Sequence, residues 1–265
     1  MAYRLLAADY DLTLTRSDRA VAEPVRRAIR EAFDRGGLVT LATGRLSDGA
    51  RQAKGLFPAE VPLSLCNGAI LQSSASGEIL REVILPPDTA ARALAVCARY
   101  AGATMIWCRE GLFADRINEA SDIYARITGT PVEPMPRDRD ILRNGVHKLL
   151  LLAEPASVLS AARDLEAMAE ELSFFPSSPE VLEMVAKGVD KSAGLAAAAE
   201  LLGFRQEETA ALGDGENDIP MLRWAGLGCA MENAPDKVKA AADLIAPHCD
   251  RDGAVWFMER VFPKR

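Results

Sequence analysis

Two aspartates, Asp9 and Asp11, stand one residue apart directly after the apolar run Leu5-Leu6-Ala7-Ala8. A buried-strand pattern that stops on Asp-x-Asp puts two carboxylates at a strand's C-terminal tip, where open α/β sheets bind ligands. A second apolar stretch, from Thr209 to Leu212, ends on Gly213-Asp214-Gly215-Glu216-Asn217-Asp218. Two acidic strand tips so distant in sequence predict a divalent-cation site assembled by the fold. Carboxylates with water completing an octahedron suit Mg²⁺. Thr43 follows another apolar run, and a lysine at 187 or 191 opens a later helical segment. Together these residue types fit phosphoryl transfer. A phosphate monoester is anionic and repels nucleophiles, so its chemistry needs charge neutralisation and in-line positioning.

Each segment alone has a plainer reading. Asp-x-Asp after a strand can be a solvated turn, Thr43-Gly44 a strand-to-helix cap, and either lysine a surface residue. Asp214 to Asp218 lacks the alternating acids, central glycine and closing glutamate of an EF-hand loop. Four such segments, in order and each at the end of an α/β element, favour the site over the separate readings. Of the two lysines, Lys191 is favoured because it opens the following helix, whereas Lys187 reads as a solvated turn residue.

The elements that must position these residues alternate. A strand at 3–8 leads to a helix from Pro24 to Arg35, with Pro24 at its first turn and an apolar stripe of Val25, Ala28, Ile29, Ala32 and Phe33. Strands follow at 38–42 and 61–65, with a helix capped by Ser47 and running to about Phe57 between them. This order predicts a parallel sheet. A hairpin is expected over 69–85, turning at Ser76-Gly77. The character then changes to helix 88–100, strand 104–108, a proline-rich loop at 131–136, strand 146–152, helix 155–170, and strands 172–175 and 181–185. The α/β pattern resumes with helix 191–202, strand 210–212, helix 219–224, strand 226–230 and helices 235–242 and 254–261. The middle third reads as an α+β insert of about 100 residues, a normal domain size.

With these segments in view, the sequence resembles the haloacid dehalogenase-like (HAD) hydrolase superfamily. Asp9-Tyr10-Asp11-Leu12-Thr13 matches its D-x-D-x-[TV] first motif, Thr43 in Ala42-Thr43-Gly44-Arg45 the second, Lys191 the third, and Gly213-Asp214-Gly215-Glu216-Asn217-Asp218 the G-D-x-x-N-D fourth. Cys66-Asn67-Gly68-Ala69, Ala230-Met231-Glu232-Asn233-Ala234 and Asp252-Gly253-Ala254 resemble further stretches of the family. Leu12 departs from the usual glycine of the first motif. An insertion between the second and third motifs resembles the Cof-like type IIB branch. The resemblance implies an α/β, Rossmann-like core over 1–84 and 186–265, with an inserted α+β cap over 85–185. It implies that Asp9 is the nucleophile and Asp11 the general acid and base. Asp9, the backbone carbonyl of Asp11, and Asp214 would hold Mg²⁺. Thr43, Gly44, Lys191 and Asn217 would bind the phosphoryl group, while Asn217 and Asp218 orient Lys191 and metal-bound water. Arg45 is either a substrate or cap contact or a surface salt bridge.

The expected activity is a Mg²⁺-dependent phosphatase acting on a small phosphorylated metabolite, a sugar phosphate foremost. Alternatives are a phosphomutase, a mannosyl-3-phosphoglycerate-type phosphatase, and a phospho-ligand binding protein without turnover. Dehalogenation would leave the Asp214–Asp218 cluster without a purpose. The formal charge of −7 and the lack of a long basic run argue against nucleic-acid binding. No apolar stretch nears the ~20 residues of a membrane helix, and acidic Asp9 and Asp11 interrupt any leader pattern. Five scattered cysteines without C-x-x-C spacing read as reduced thiols of a cytoplasmic protein, which is expected to be a monomer or small homo-oligomer. His147 and His248 lack zinc-ligand spacing. Trp107, Phe113 and Tyr124 read as core aromatics of the insert, with a substrate pocket as the other option. Cys229 reads as buried packing.

Overall fold

The structure is a computed structural model that describes residues 3–45, 55–136 and 140–264. The helix expected from Ser47 begins outside these residues. In chain order the elements are β1 (Leu5–Ala8), α1 (Glu23–Asp34), β2 (Leu38–Leu41), β3 (Pro62–Leu65), β4 (Ile70–Ser73), β5 (Ile79–Glu82), α2 (Pro87–Cys97), β6 (Ala103–Cys108), β7 (Gly111–Ala114), α3 (Glu119–Thr128), β8 (Glu133–Pro134), β9 (Val146–Leu152), α4 (Pro155–Leu165), β10 (Leu172–Ser178), β11 (Val181–Ala186), α5 (Lys191–Leu201), β12 (Thr209–Gly213), α6 (Ile219–Trp224), β13 (Leu227–Met231), α7 (Asp236–Lys239), β14 (Leu244–Ala246) and α8 (Gly253–Val261).

The chain divides into two compact units. The first comprises Met1–Arg81 with Asp190–Arg265. Its sheet runs β14-β13-β12-β1-β2, with every pair parallel. β1 lies between β12 and β2, and all four of its residues are buried, as expected of a parallel strand covered on both faces. Leu5 and Ala7 pack with Leu195 and Ala198 of α5 and with Met221 and Leu222 of α6. Side chains alternate across a strand, so Leu6 and Ala8 point to the opposite face. There α8 packs on β12, β13 and β14, and α1 packs on α8 and β2. β3 continues the sheet by a parallel bridge from Ala42 to Ser64, and Thr40 Oγ1 donates to the Pro62 carbonyl at 2.5 Å.

The second unit, Glu82–Val189, holds the sheet β10-β11-β9-β6-β7-β8. It extends slightly beyond the 85–185 expected from the sequence. Glu82 belongs to it through Arg109 and through His147 Nε2 at 2.8 Å. α2 and α4 pack on this sheet and on each other. Trp107 is buried and its indole N–H donates to the Tyr124 hydroxyl at 3.0 Å, with the rings edge to face. With Phe113 also buried, these aromatics belong to the unit's core. Within the proline-rich stretch, Glu133–Pro134 pairs with β7 instead of forming only a loop; proline is compatible with a sheet edge, where no ladder donor is required. β7, α3 and β14 had no clear sequence signature. α3 in particular starts on a capping box between Asn118 and Ser121 that lacks the usual Glu or Gln.

One close approach sets the depth of α5. A Cβ on Gly194 would lie 2.0 Å from Ser64 Oγ, and one on Gly68 would lie 2.2 Å from the Asp190 carbonyl. The helix backbone therefore rests directly on β3 and the turn after it. At an open helical site, Gly→Ala stabilises by about 1 kcal/mol. Here overpacking reverses the sign: Gly194→Ala is predicted to lower stability by about 1–3 kcal/mol in urea unfolding.

Candidate active site

Asp9 follows β1, Thr43 follows β2 and Ala42, and Asp214 follows β12, at C-terminal strand ends of one sheet, and Asn67 follows β3, which a parallel bridge joins to β2's end. β1 lies between β12 and β2, which brings Asp9 beside Asp214. Lys191, the first residue of α5, is almost wholly buried. Its ammonium donates to Asp9 Oδ1 at 2.6 Å and to Asp218 Oδ1 at 2.5 Å. Asp218 is itself fixed, because its Oδ2 accepts from the backbone N–H groups of Asp214 at 2.9 Å and Gly215 at 2.8 Å. Asp190 caps the helix by accepting from Ser192 and Ala193. Lys187, by contrast, is exposed and donates to the Ala169 carbonyl.

Asp9, Asp214 and Asp218 bring ligand oxygens within 4.8 Å of one another. Burial pushes the Asp9 carboxyl up, reinforced by Asp218 and Asp214 and opposed by Lys191. Asp214 is pushed up to about 6, first by burial and then by the Asp218 charge, while the Thr13 hydroxyl bond at 2.9 Å acts the other way. Burial alone would lower the Lys191 value, but the charges of Asp218 and Asp9 outweigh it and hold the ammonium protonated. One ammonium thus faces three clustered carboxylates. This oxygen-only donor set with excess negative charge fits a hard divalent cation such as Mg²⁺. Asp218 gives one oxygen to Lys191 and the other to two backbone N–H groups, whereas Asp214 accepts one side-chain bond on each oxygen, from Thr13 and Asn233.

Asp11 lies outside that cluster. Arg45 grips it with two parallel bonds, Nε to Oδ2 at 2.7 Å and Nη2 to Oδ1 at 2.6 Å. The guanidinium also lies over the Tyr10 ring, 5.1 Å from its centroid. Thr43 is buried and its Oγ1 accepts from Arg45 N at 3.2 Å. Gly44 lies against the Asn67 side chain, with a Cβ there falling 3.0 Å from Asn67 Oδ1. The Asn217 amide donates to the same Oδ1 at 3.2 Å. Asn217 is thus tied to Asn67, while Asp218 holds Lys191.

Leu12 stands where the first motif usually has glycine, and its φ of +54° lies in the left-handed region. For a residue with a Cβ this costs roughly 1–2 kcal/mol. Leu12 is 41% exposed, an exposed large apolar residue beside the site. Its N–H donates to Thr15 Oγ1 at 2.9 Å, and its carbonyl accepts from Asn233 Nδ2 at 3.0 Å. Asn233 also reaches Asp214 Oδ2 at 3.3 Å and accepts from Cys249 N at 3.1 Å. It joins the two acidic loops, a role that a lone asparagine after a strand does not announce in sequence.

The family model of haloacid dehalogenase-like hydrolases matches residues 6–258. The chain belongs to this family. It is 30% identical over 250 residues to the Bacillus subtilis 5-amino-6-(5-phospho-D-ribitylamino)uracil phosphatase YcsE, covering 94% of this chain and 92% of that protein. A crystal structure from Thermotoga maritima is 30% identical with a TM-score of 0.83, covering 97% of each chain. The fold is also shared with the HAD subclass IIB sugar phosphatase BT4131, 24% identical with a TM-score of 0.83, over 97% of this chain and 98% of that one.

Removing the central cation should be costly, since breaking a buried ion pair leaves uncompensated charge, at about 3–5 kcal/mol. In metal-free protein, Lys191→Met is predicted to lose stability in that range by urea unfolding. Adding Asp218→Asn should restore part of the loss.

Proposed function

We propose that this protein is a Mg²⁺-dependent phosphatase that hydrolyses a small phosphorylated metabolite, a sugar phosphate foremost, through an aspartyl-phosphate on Asp9. The observation that carries this reading is the buried Lys191 ammonium between Asp9 and Asp218, next to Asp214. It is supported by the naming of similar proteins as phosphatases of phosphorylated polyol or sugar compounds.

In the first step an Asp9 carboxylate oxygen attacks phosphorus, and the bond to the leaving oxygen breaks. Asp11 gives its proton to that oxygen as general acid. In the second step Asp11 takes a proton from water as the water attacks phosphorus. The bond between Asp9 and phosphorus breaks, orthophosphate leaves, and Asp9 is regenerated. Lys191 holds Asp9 in place and binds phosphoryl oxygens together with Thr43, Gly44 and Asn217. Asp218 keeps Lys191 charged and aimed. Asp9, the Asp11 carbonyl and Asp214 would hold Mg²⁺, which would supply charge neutralisation and orientation for the phosphoryl group.

Arg45 fits this scheme as a movable partner. Its two bonds hold both Asp11 oxygens, so Asp11 reaches the leaving oxygen only after parting from Arg45, and the freed guanidinium takes an anionic group of the substrate. In our reading the second unit serves as a cap domain.

Phosphate release from an aryl phosphate and a sugar-phosphate panel tests the reading. Activity should require added Mg²⁺ and vanish on chelation. Asp9→Asn should fall to background, and Asp11→Asn should lose about 10²–10⁴-fold in kcat. Retained turnover in Asp9→Asn would refute the scheme. Arg45→Ala should raise KM by a larger factor than it lowers kcat; an unchanged KM would remove Arg45 from the substrate.

A further inference from the structure

Three successive residues after β3 have positive φ: Cys66 at +50°, Asn67 at +57° and Gly68 at +97°. Two of them carry side chains, and both are buried. Non-glycine residues rarely adopt this region, although asparagine is enriched there. Such strain persists only where surrounding structure over-determines it, and it clusters at functional sites.

The surroundings of this turn are specific. Cys66 N donates to the Arg45 carbonyl at 2.9 Å, and Asn67 N donates to the Thr43 carbonyl at 3.0 Å. Thr43 N in turn donates to the Ser64 carbonyl at 2.9 Å. The loop after β2 is therefore stitched to β3 and its turn from both directions. The Asn67 side chain presses its Oδ1 against Gly44 and accepts from Asn217 Nδ2. On the other side, Gly68 rests on the Asp190 carbonyl and the Gly194 backbone at the start of α5, the helix that opens with Lys191. One strained turn thus touches the Thr43–Gly44 loop, the Asn217 side chain and the helix end bearing Lys191.

We propose that Asn67 is a positioning residue for the phosphoryl group, setting Asn217 and the Thr43–Gly44 loop at one mutual spacing through its side-chain amide. This rests on the phosphatase reading. The left-handed backbone lets the Asn67 amide point between Gly44 and Asn217. An extended residue at this position would direct its side chain elsewhere. Gly44 lacks a Cβ at the point where the Asn67 oxygen must approach. Asn67 itself takes no part in bond making.

The test separates the amide from the backbone. Asn67→Gly removes the side chain but accepts φ of +57° without strain. Asn67→Ala removes it and adds strain. If the amide positions the site, both variants raise KM by about 10–100-fold, the scale typical of outer-shell partners. The dissociation constant of inorganic phosphate for Mg²⁺-loaded protein, measured by calorimetry, should rise by the same factor. Asn67→Gly should keep nearly the wild-type melting temperature. Asn217→Ala should add little in the Asn67→Gly background, because coupled residues are non-additive. Wild-type KM and phosphate affinity in Asn67→Gly would overturn the proposal, as would fully multiplicative effects of the two substitutions. Loss in Asn67→Ala with normal Asn67→Gly would reduce the residue to a backbone role and also overturn it. A wild type that releases phosphate from no substrate would refute the phosphatase reading itself, and this inference would fall with it.

Discussion

The arrangement depends on one buried ammonium placed among three carboxylates, those of Asp9 and Asp218 buried and that of Asp214 half-buried. Lys191 is surrounded by protein, and its charge is retained because Asp9 and Asp218 stand on either side of it. Desolvating these charges is unfavourable unless each is paired and hydrogen-bonded. The pairing is incomplete in number, since Asp214 adds a third carboxylate. A divalent cation would correct that imbalance, which is the charge argument for metal in the proposed mechanism. Asp218 is spent on holding the lysine, with backbone N–H groups of Asp214 and Gly215 fixing its second oxygen.

Keeping that cluster in register requires rigid neighbours. The parallel sheet supplies the coarse placement, because β1, β2 and β12 end at one edge. The finer placement comes from short loops with unusual backbones: Leu12 next to the aspartates, and Cys66 and Asn67 behind the Thr43 loop. Asn233 and Asn67 play parallel parts. Each is a neutral amide that ties two loops together, one across the acidic side and one across the threonine side. Neutral amides join loops here without adding charge to a site already rich in it.

Much of this was legible in the sequence. The run Leu5–Ala8 is apolar throughout because β1 is covered on both faces, and the two acidic tips follow directly from it. The choice of Lys191 over Lys187 could be made from its place at a helix start, and the structure buries Lys191 while leaving Lys187 exposed. The Arg45–Asp11 pair was less readable. A salt bridge and a substrate contact look alike in sequence, and only the two-pronged geometry joins the arginine to the proposed acid. The bridging amides lie in stretches that resemble the family, but their role was not readable, because it lies in contacts between residues about 150 or more positions apart. In the insert, β7 and α3 escaped notice because a four-residue strand and a helix of mixed polarity carry little periodic signal.

The most direct test of the central claim is a rapid acid quench of the Mg²⁺-loaded protein during turnover of a reactive phosphate ester, followed by peptide mapping for a phosphorylated residue. The account predicts a phosphoryl group on Asp9, absent from Asp9→Asn and accumulating in Asp11→Asn where hydrolysis of the intermediate is slowed. Turnover with a phosphoryl group on another residue, or an Asp9→Asn variant that still forms the same adduct, would contradict it.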